Sequence, residues 1–430
     1  MHIPSKEALE KIYGRETEEA TKRYTHLDEC FQKEYGCEPE DYFSAPGRTE
    51  IIGNHVDHNG GKILAAAITM DTICAAAPTG DDNVTIISEG YRPICLKLSE
   101  VEQTAHCNGA TSLVAGILAG TKKHGYSAGG FRAYVTSKVI PSAGVSSSAS
   151  FEMLICSVIN HFFNKSEMDY AHYAKIGQYA ENVYWEKASG LMDQMACAVG
   201  GTILLDFKED VKYEKVEFSY GALGSELVII NTGKGHSNLS EEYSSIPREM
   251  RLVAKELCKE NKTGATNSSG QESEEKKPNL CDASEEKLLR ELPKIRESIS
   301  CDRALLRALH YYEEVARVEE AVTALHAGKQ ERVLQLISEA GNSSWKWLQN
   351  AAVTGDKKDQ SIPLALALTE IFCKQHDAGV CRIHGGGFAG VISAVIKDKM
   401  TKDYVDFMAP YFGKNNIYVM NIREAGAVCV

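Results

Sequence analysis

The chain has 430 residues, 43% of them apolar and 25% charged, and carries a formal net charge of −12. One hydrophobic core rarely supports such a length, so two domains are expected: 1–215 N-terminal and 216–430 C-terminal. The acidic balance argues against a general nucleic-acid or anionic-membrane surface, while a local basic pocket is compatible with it.

Thirteen cysteines are scattered without Cys-x-x-Cys spacing, the pattern of reduced cytosolic thiols. Met1-His-Ile-Pro-Ser-Lys6 lacks an apolar signal core, and the apolar run from Leu64 to Ala77 is broken by Asp71. No segment approaches the roughly 20 apolar residues of a membrane span, so the expected location is cytoplasmic.

Residues 6–34 read as charged, amphipathic helix. From Phe43 to Gly90 short β-branched runs alternate with turns. Residues 111–124 read as helix, Phe131–Ser137 alternates like a strand, and an apolar helix spans Ala149 to about Phe163. Leu227–Asn231 reads as a buried strand. Between Lys259 and Lys287 the chain turns polar, too poor in apolar surface to offset its ordering entropy, and is expected to be a partly mobile insertion. Helices then dominate to about Gln375, and β-type segments are expected from Val380 onward. The mixture predicts an α+β fold rather than regular βα alternation.

Four stretches carry candidate chemistry. Ala45–Gly61 holds Arg48, His55, Asp57 and His58 among glycines, interleaved with Ile51-Ile52 and followed by Ile63–Ile68, which suggests a rigid pocket wall rather than a solvated loop. Val139–Ser150 places glycine and serines between a strand and a helix N-terminus, where free N–H groups and the helix dipole suit a phosphate. A serine-rich helix cap reads equally well there, and no Gly-x-x-x-x-Gly-Lys loop is present.

Third, Ser189-Gly-Leu-Met-Asp-Gln194 sets Asp193 among small and apolar residues, so a buried carboxylate with a partner or a task is expected. It could be a core aspartate or could deprotonate a substrate hydroxyl. Glu181 could sit on a helix surface or bind a metal. Fourth, Val380–Ile396 contains Gly385, Gly387 and Gly390 in dinucleotide-fingerprint spacing. The β-branched residues that follow favour a glycine turn between two strands, close to a ligand.

In this order, these segments resemble the three motifs of the GHMP small-molecule kinases, and within them those of the galactokinases. Arg48–Gly61 is similar to the galactokinase signature, Pro141–Ser150 to the phosphate loop, and His384–Gly390 to the third, glycine-rich motif. Ser189–Gln194 resembles the family's Gly-Ile-Met-Asp-Gln segment, with fainter echoes at Asn231–His236, Ser240–Tyr243 and Arg307–His310.

The resemblance implies a two-domain GHMP kinase fold with the active site in the cleft between the domains. It implies an ATP-dependent sugar 1-kinase making α-galactose 1-phosphate, with Mg²⁺ as cofactor. Asp193 would be the base or orienting group for the anomeric hydroxyl, and Arg48 would stabilise the transferring phosphoryl group. Pro141, Gly144, Val145, Ser146, Ser147, Ser148 and Ala149 would wrap the ATP phosphates, and Ser148 with Glu181 would hold Mg²⁺. Asn54, His55, Asp57, Gly190 and Tyr243 would line the sugar site. A monomer or weak homodimer is expected.

Asn54 stands where the family carries a glutamate to the sugar's C6 hydroxyl, Glu50 replaces a usual asparagine, and His58 a usual tyrosine. The segment Gly341–Asn350 lacks the family's Ser-Leu-Arg-Asp-like run. An asparagine at 54 would tolerate a C6 carboxylate that a glutamate rejects, which makes galacturonate the alternative substrate. A non-catalytic sugar- and ATP-binding regulator is a further reading, opposed by the retention of Arg48, Asp193 and Ser148. A nicotinamide-dependent oxidoreductase rests on the glycines at 385–390 alone.

Overall fold

In the computed structural model, which describes residues 3–104, 106, 109–141, 144–187, 189–233, 239–259 and 278–430, the amphipathic opening segment forms α1 (Lys6–Tyr13) and α2 (Thr17–Tyr35). Ser5 starts α1 by accepting the Ala8 N–H, and Gly36 ends α2 in the left-handed conformation. Then come β1 (Asp41–Ile52), β2 (Lys62–Pro78), β3 (Asn83–Ser88), β4 (Ile94–Lys97), α3 (Gly109–Lys123), β5 (Phe131–Ser137), α4 (Ser147–Asn164), α5 (Tyr170–Tyr179), α6 (Met192–Val199) and β6 (Thr202–Asp206).

The chain continues through β7 (Lys212–Val216), β8 (Ser225–Asn231), α7 (Ser240–Leu257), α8 (Glu285–Ile299), α9 (Asp302–His326), α10 (Gln330–Ser343) and α11 (Ser361–His376). It closes with β9 (Gly379–His384), β10 (Val391–Lys397), α12 (Asp398–Phe412), β11 (Ile417–Met420) and β12 (Val428–Cys429). The expected α+β character is met.

Two units emerge: Met1–Thr49, Ala65–Ile203 and Met420–Val430 form the first, Glu50–Leu64 and Leu204–Val419 the second. This differs from a single cut near residue 215. The boundaries fall inside β1 and β2, so the glycine-rich loop joining those strands belongs to the second unit. The last segment belongs to the first because β12 pairs with β1 and Arg423 reaches Asp71.

In the first unit the strand order is β12-β1-β2-β5-β3-β4. The two-residue period of a strand, with both faces covered, explains why β2 is largely apolar. Cys74 and Ala76 join the core under α3 and α4, with Ala133 and Val135 of β5. Their neighbours Ile73 and Ala75 turn to the opposite face, against Leu9, Tyr24, Leu27 and Phe31 of α1 and α2. Asp71, fully buried on β2, is held by Arg23 at 2.6 Å, Arg423 at 2.9 Å, Tyr13 at 2.6 Å and Ser44 at 2.7 Å. Burial alone would raise its carboxyl, but the two guanidinium groups outweigh that and hold it at about 2.

The second unit contains a sheet of order β11-β8-β10-β9, with β10 antiparallel to both neighbours. Val228, Ile230, Ile392, Ala394 and Ile396 face the apolar sides of α11 and α12. α12 corrects the expectation of β-type segments from Val380 onward. Thr401, Tyr404 and Met408 are buried at helical spacing, a signal obscured by the β-branched run just before it.

Within the polar stretch 259–287, residues 260–277 lie outside the described residues. The stretch ends earlier than composition suggested: Leu280–Asp282 form a 3₁₀ turn with Leu280 buried, and α8 begins at Glu285 behind a Ser284 cap. Among the described residues no helix is long and apolar enough to cross a membrane.

Candidate active site

The turn preceding α4 is built around backbone conformations that side chains resist. Gly144 has φ 67°, and Ser146, the residue capping α4, is itself left-handed at φ 59°. The Ser146 hydroxyl does not cap the helix; it donates to Asp193 Oδ2. The first-turn N–H groups of α4 therefore receive nothing from that side chain, and the positive end of the helix dipole stays available to an anion. Gly47 brings β1 against this turn: a Cβ there would lie 2.6 Å from the Val145 carbonyl oxygen, which accepts the Arg48 N–H at 3.1 Å.

Arg48 and Asp193 form a bidentate pair, Nε to Oδ1 and Nη2 to Oδ2, each 2.8 Å, while Nη1 donates to the Gly144 carbonyl. Arg48 is buried, and Asp193 keeps a side chain 32% exposed rather than the full burial its neighbours suggested. Burial would raise the Asp193 carboxyl, but the Arg48 charge and the hydrogen bonds from Arg48 and Ser146 hold it below its ordinary value. It is a carboxylate at neutral pH.

Beside this pair, Ser148 Oγ donates to Glu181 Oε1 at 2.9 Å, and Lys187 Nζ donates to the same oxygen at 2.7 Å. Glu181 lies on a π-helical turn, Ala180–Tyr184, and is buried rather than on a helix surface. Gln194 Nε2 bridges two carboxyl groups, donating to Glu152 at 3.0 Å and Glu181 at 3.2 Å. Burial, then the Glu181 charge, push the Glu152 carboxyl well above its ordinary range, which favours its neutral form. Serine and glutamate oxygens are the hard donors that Mg²⁺ prefers, and a single carboxylate beside substrate phosphates suffices for it. A cavity of about 320 Å³ in the same unit is walled by Ile94, Leu113, Val139, Phe151 and Trp185, with Ser147 and Ser148 at its edge.

The second unit holds the loop between β1 and β2. His55 is left-handed at φ 60° and donates from Nε2 to the Gly386 carbonyl at 3.0 Å. Burial and then His58 lower its pKa to about 4, so the ring is neutral and Nδ1 is an acceptor. Asp57 opens a 3₁₀ turn with His58 Nε2 3.6 Å away. Tyr243 donates to the Gly387 carbonyl at 3.0 Å and packs edge-on against Phe388. Gly387 has φ 78°, and a Cβ there would lie 2.3 Å from the Asn350 carbonyl oxygen.

Asn54 corrects an expectation. Its side chain is buried and its amide is engaged by protein: Nδ2 donates to Glu50 at 3.2 Å and to the Gly385 carbonyl at 2.9 Å, and Oδ1 accepts from Asn350 at 2.9 Å. These bonds tie it into the loop. Around it, Glu314 accepts the Gly53 and Asn54 N–H groups at 3.0 and 3.2 Å, His310 donates to the Asn54 carbonyl at 2.9 Å, and Arg382 pairs with Glu50. Burial would raise the Glu314 carboxyl, but His310 and Arg317 hold it low.

Of the residues singled out in the sequence, the structure pairs Arg48 with Asp193 and Ser148 with Glu181, and it sets His55 and Tyr243 against the Gly385–Gly390 turn, with Asp57 on the same loop as His55. Sequence reasoning missed Glu50–Arg382, Glu314, His310 and Asn350 as the supports of the loop, and Glu152, Gln194 and Lys187 beside Glu181. Arg307-Ala-Leu-His310 was the one local hint. Val145 and Ala149 are buried, so only their backbone could face a phosphate, while Pro141 is exposed. Gly190 lies in the segment before α6; residues 142–143 and 234–236, within two of the motifs, and residue 188, just before a third, lie outside the described residues. Gly385–Gly390 joins two antiparallel strands, the glycine turn expected, and not a strand-to-helix nucleotide fingerprint.

Residues 112–201 match the GHMP kinases N terminal domain, and residues 29–78 match the galactokinase galactose-binding signature. Mevalonate kinase of Methanococcus jannaschii shares the fold, with a TM-score of 0.60 at 14% identity over 90% of this chain and 98% of that one. Lactococcus lactis galactokinase, solved with galactose, superposes with a TM-score of 0.76 at 25% identity, over 94% of this chain and 99% of that one.

Galactokinase of Clostridium perfringens (strain SM101 / Type A) is 30% identical over 390 residues, 88% of this chain and 91% of its own. That of Limosilactobacillus reuteri (strain DSM 20016) is 29% identical over 379 residues, 85% and 88% respectively. Fold and phosphate-loop architecture define a GHMP small-molecule kinase. Within that class, the chain belongs to the galactokinase family, which makes it a sugar kinase with ATP as its second substrate.

Proposed function

We propose that this protein transfers the γ-phosphoryl group of ATP to the anomeric hydroxyl of galactose, giving α-galactose 1-phosphate and ADP. The observation that carries the reading is the Arg48–Asp193 pair set against the Gly144–Ser148 turn, a carboxylate and a guanidinium beside an anion cradle. Phosphoryl transfer asks mainly for positioning and charge neutralisation. Asp193 orients the hydroxyl and takes its proton as the oxygen–phosphorus bond forms and the bond to the ADP oxygen breaks. A carboxylate held this low is a weak base, which suits a loose transition state where the proton leaves late. Arg48 fixes the carboxylate and balances charge on the moving phosphoryl group.

The adenine occupies the apolar cavity beside Trp185, leaving the phosphates to the α4 N-terminus. Ser148 and Glu181 would hold Mg²⁺, which supplies neutralisation of the β- and γ-phosphate oxygens when bound. His55, through its acceptor Nδ1, with Asp57, Gly190 and Tyr243, recognises the sugar. The galacturonate alternative loses its basis, because the amide of Asn54 is committed to Glu50, Gly385 and Asn350. A purely regulatory binder has no need of the pairing of Arg48 with Asp193. Unpaired cysteines among the described residues support a reducing, cytoplasmic setting, and we expect a monomer or weak homodimer.

The test is ADP release with galactose, galacturonate, N-acetylgalactosamine, glucose and arabinose, with the product's phosphate position read by ³¹P NMR. Galactose should turn over fastest and carry phosphate at C1. Faster turnover of galacturonate, or phosphate at C6, would end the proposal.

A further inference from the structure

Far along α4 from the phosphate loop, three side chains of different chemistry converge from three elements. Asp41 opens β1, His161 lies in the last turn of α4, and Cys429 sits on β12. One carboxylate oxygen, one imidazole nitrogen and the thiol sulfur all lie within 4.8 Å of one another. Cys429 pairs with Phe43 across the strands, and Asp41 lies two residues from Phe43, on the same face of β1. His161 Nε2 is 2.9 Å from Asp41 Oδ2, and its ring is wedged edge-on between Phe43 at 5.5 Å and Phe162 at 5.3 Å. The ring's orientation is therefore set by packing before any ligand arrives.

We propose that Asp41, His161 and Cys429 form a binding site for a thiophilic divalent cation of the Zn²⁺ class, with water in the fourth position. Metal–ligand bonds of about 2.0–2.3 Å in a tetrahedral arrangement put donor atoms roughly 3.3–3.8 Å apart. Donors already within 4.8 Å reach that spacing by small side-chain rotations. The Asp41–His161 contact opens slightly and Cys429 swings inward. Sulfur and imidazole donors select zinc-like ions over Mg²⁺, which prefers oxygen alone. The cluster is reachable from solvent: Cys429 is exposed, and the His161 and Asp41 side chains are 33% and 35% exposed.

The site is separate from the pair Ser148 and Glu181. Ser148 and His161 lie 13 residues apart on one helix, about 20 Å at 1.5 Å per residue. Its consequence is structural. A cation bound there ties β12 and α4 to β1, adding coordinate bonds to the strand pairing, ring packing and ion pair that already join them. The proposal does not rest on the sugar-kinase reading.

The experiment titrates Zn²⁺ alone into the full chain, purified through chelator and reductant, against a chromophoric zinc indicator. Co²⁺ serves in parallel as a spectroscopic probe. The wild-type protein should bind one equivalent, show a sulfur-to-cobalt charge-transfer band, melt at a higher temperature with Zn²⁺, and protect Cys429 from a thiol reagent. Cys429→Ser and His161→Asn should each weaken Zn²⁺ binding at least about tenfold. Cys429→Ser should also abolish the charge-transfer band and the rise in melting temperature, while leaving turnover with sugar and Mg-ATP unchanged. Zn²⁺ binding that survives both substitutions would place the ion on other thiols and overturn the assignment. So would an absence of binding by the wild-type chain, leaving Asp41–His161 a plain ion pair.

Discussion

Asp193 accepts hydrogen bonds from two Arg48 nitrogens, one at each oxygen, and from the Ser146 hydroxyl at Oδ2, and these keep it ionised despite its partial burial. Asp193→Asn keeps the shape and removes the charge, so kcat should fall by about 10³-fold while the Kd for ATP, measured by calorimetry, moves less than about threefold. Comparable losses in kcat and in nucleotide affinity would mean that the residue shapes the loop instead. Because its folded pKa is lowered, the carboxylate stays charged as pH falls towards about 4. The pH profile of kcat should therefore show no acidic limb from this group above that value. Asn54→Glu makes a different point. It would bury a second carboxylate near Glu50, already 3.2 Å from the Asn54 amide, and should destabilise the fold by about 3 kcal/mol or more in urea unfolding. A stable variant with altered sugar preference would show that position 54 reads the substrate after all.

At the level of elements, the loop between β1 and β2 owes its shape to groups brought from α9 and β9. Glu314 holds two consecutive N–H groups, His310 holds a carbonyl, and Arg382 spans Glu50 and the Ile51 carbonyl. Glu314→Gln removes a buried charge that faces Arg317 Nε at 2.9 Å, so a loss of about 3 kcal/mol is expected. The KM for galactose should rise more than kcat falls, since His55 and Asp57 ride on this loop. Wild-type KM in a folded variant would show that the loop keeps its form without the carboxylate. The loop's polar residues, interleaved with apolar ones, were legible as a rigidly held segment. Its supports were not, because they lie about 260 to 330 positions away and look like ordinary helix and strand residues.

Over the whole molecule, Asp71 joins β2 to α2 and to the last segment of the chain. Its carboxyl drops from 3.8 to about 2 on folding, worth about 2 kcal/mol. A lowered pKa gives stability that is complete above the unfolded value and lost as pH falls through the folded one. Acid unfolding of the first unit should therefore steepen between about pH 4 and pH 2, and Asp71→Asn should flatten that dependence in circular-dichroism melts. A fragment of residues 1–215 would lack Arg423 and β12. It should fail to fold cooperatively; a sharp melt near the temperature of the full chain would show that the final segment is dispensable.

The sequence by itself determined the kind of chemistry, because glycine and serine spacing at 141–150 and at 385–390 constrains the backbone locally, and local constraints are written in order along the chain. It also determined several helices and strands through their periodicity, among them 6–34, 111–124, 131–137, 149–163 and 227–231, whereas α5, α6, β6 and β7 went unread and α12 was expected as strand. Tertiary structure alone decided which partners each polar motif residue meets and how far it is buried. Asn54 and Asp193 are both short polar side chains inside motifs, yet one is spent on Glu50, Gly385 and Asn350 while the other stays open to solvent. Burial and hydrogen bonding depend on partners hundreds of residues distant, and no local pattern encodes them.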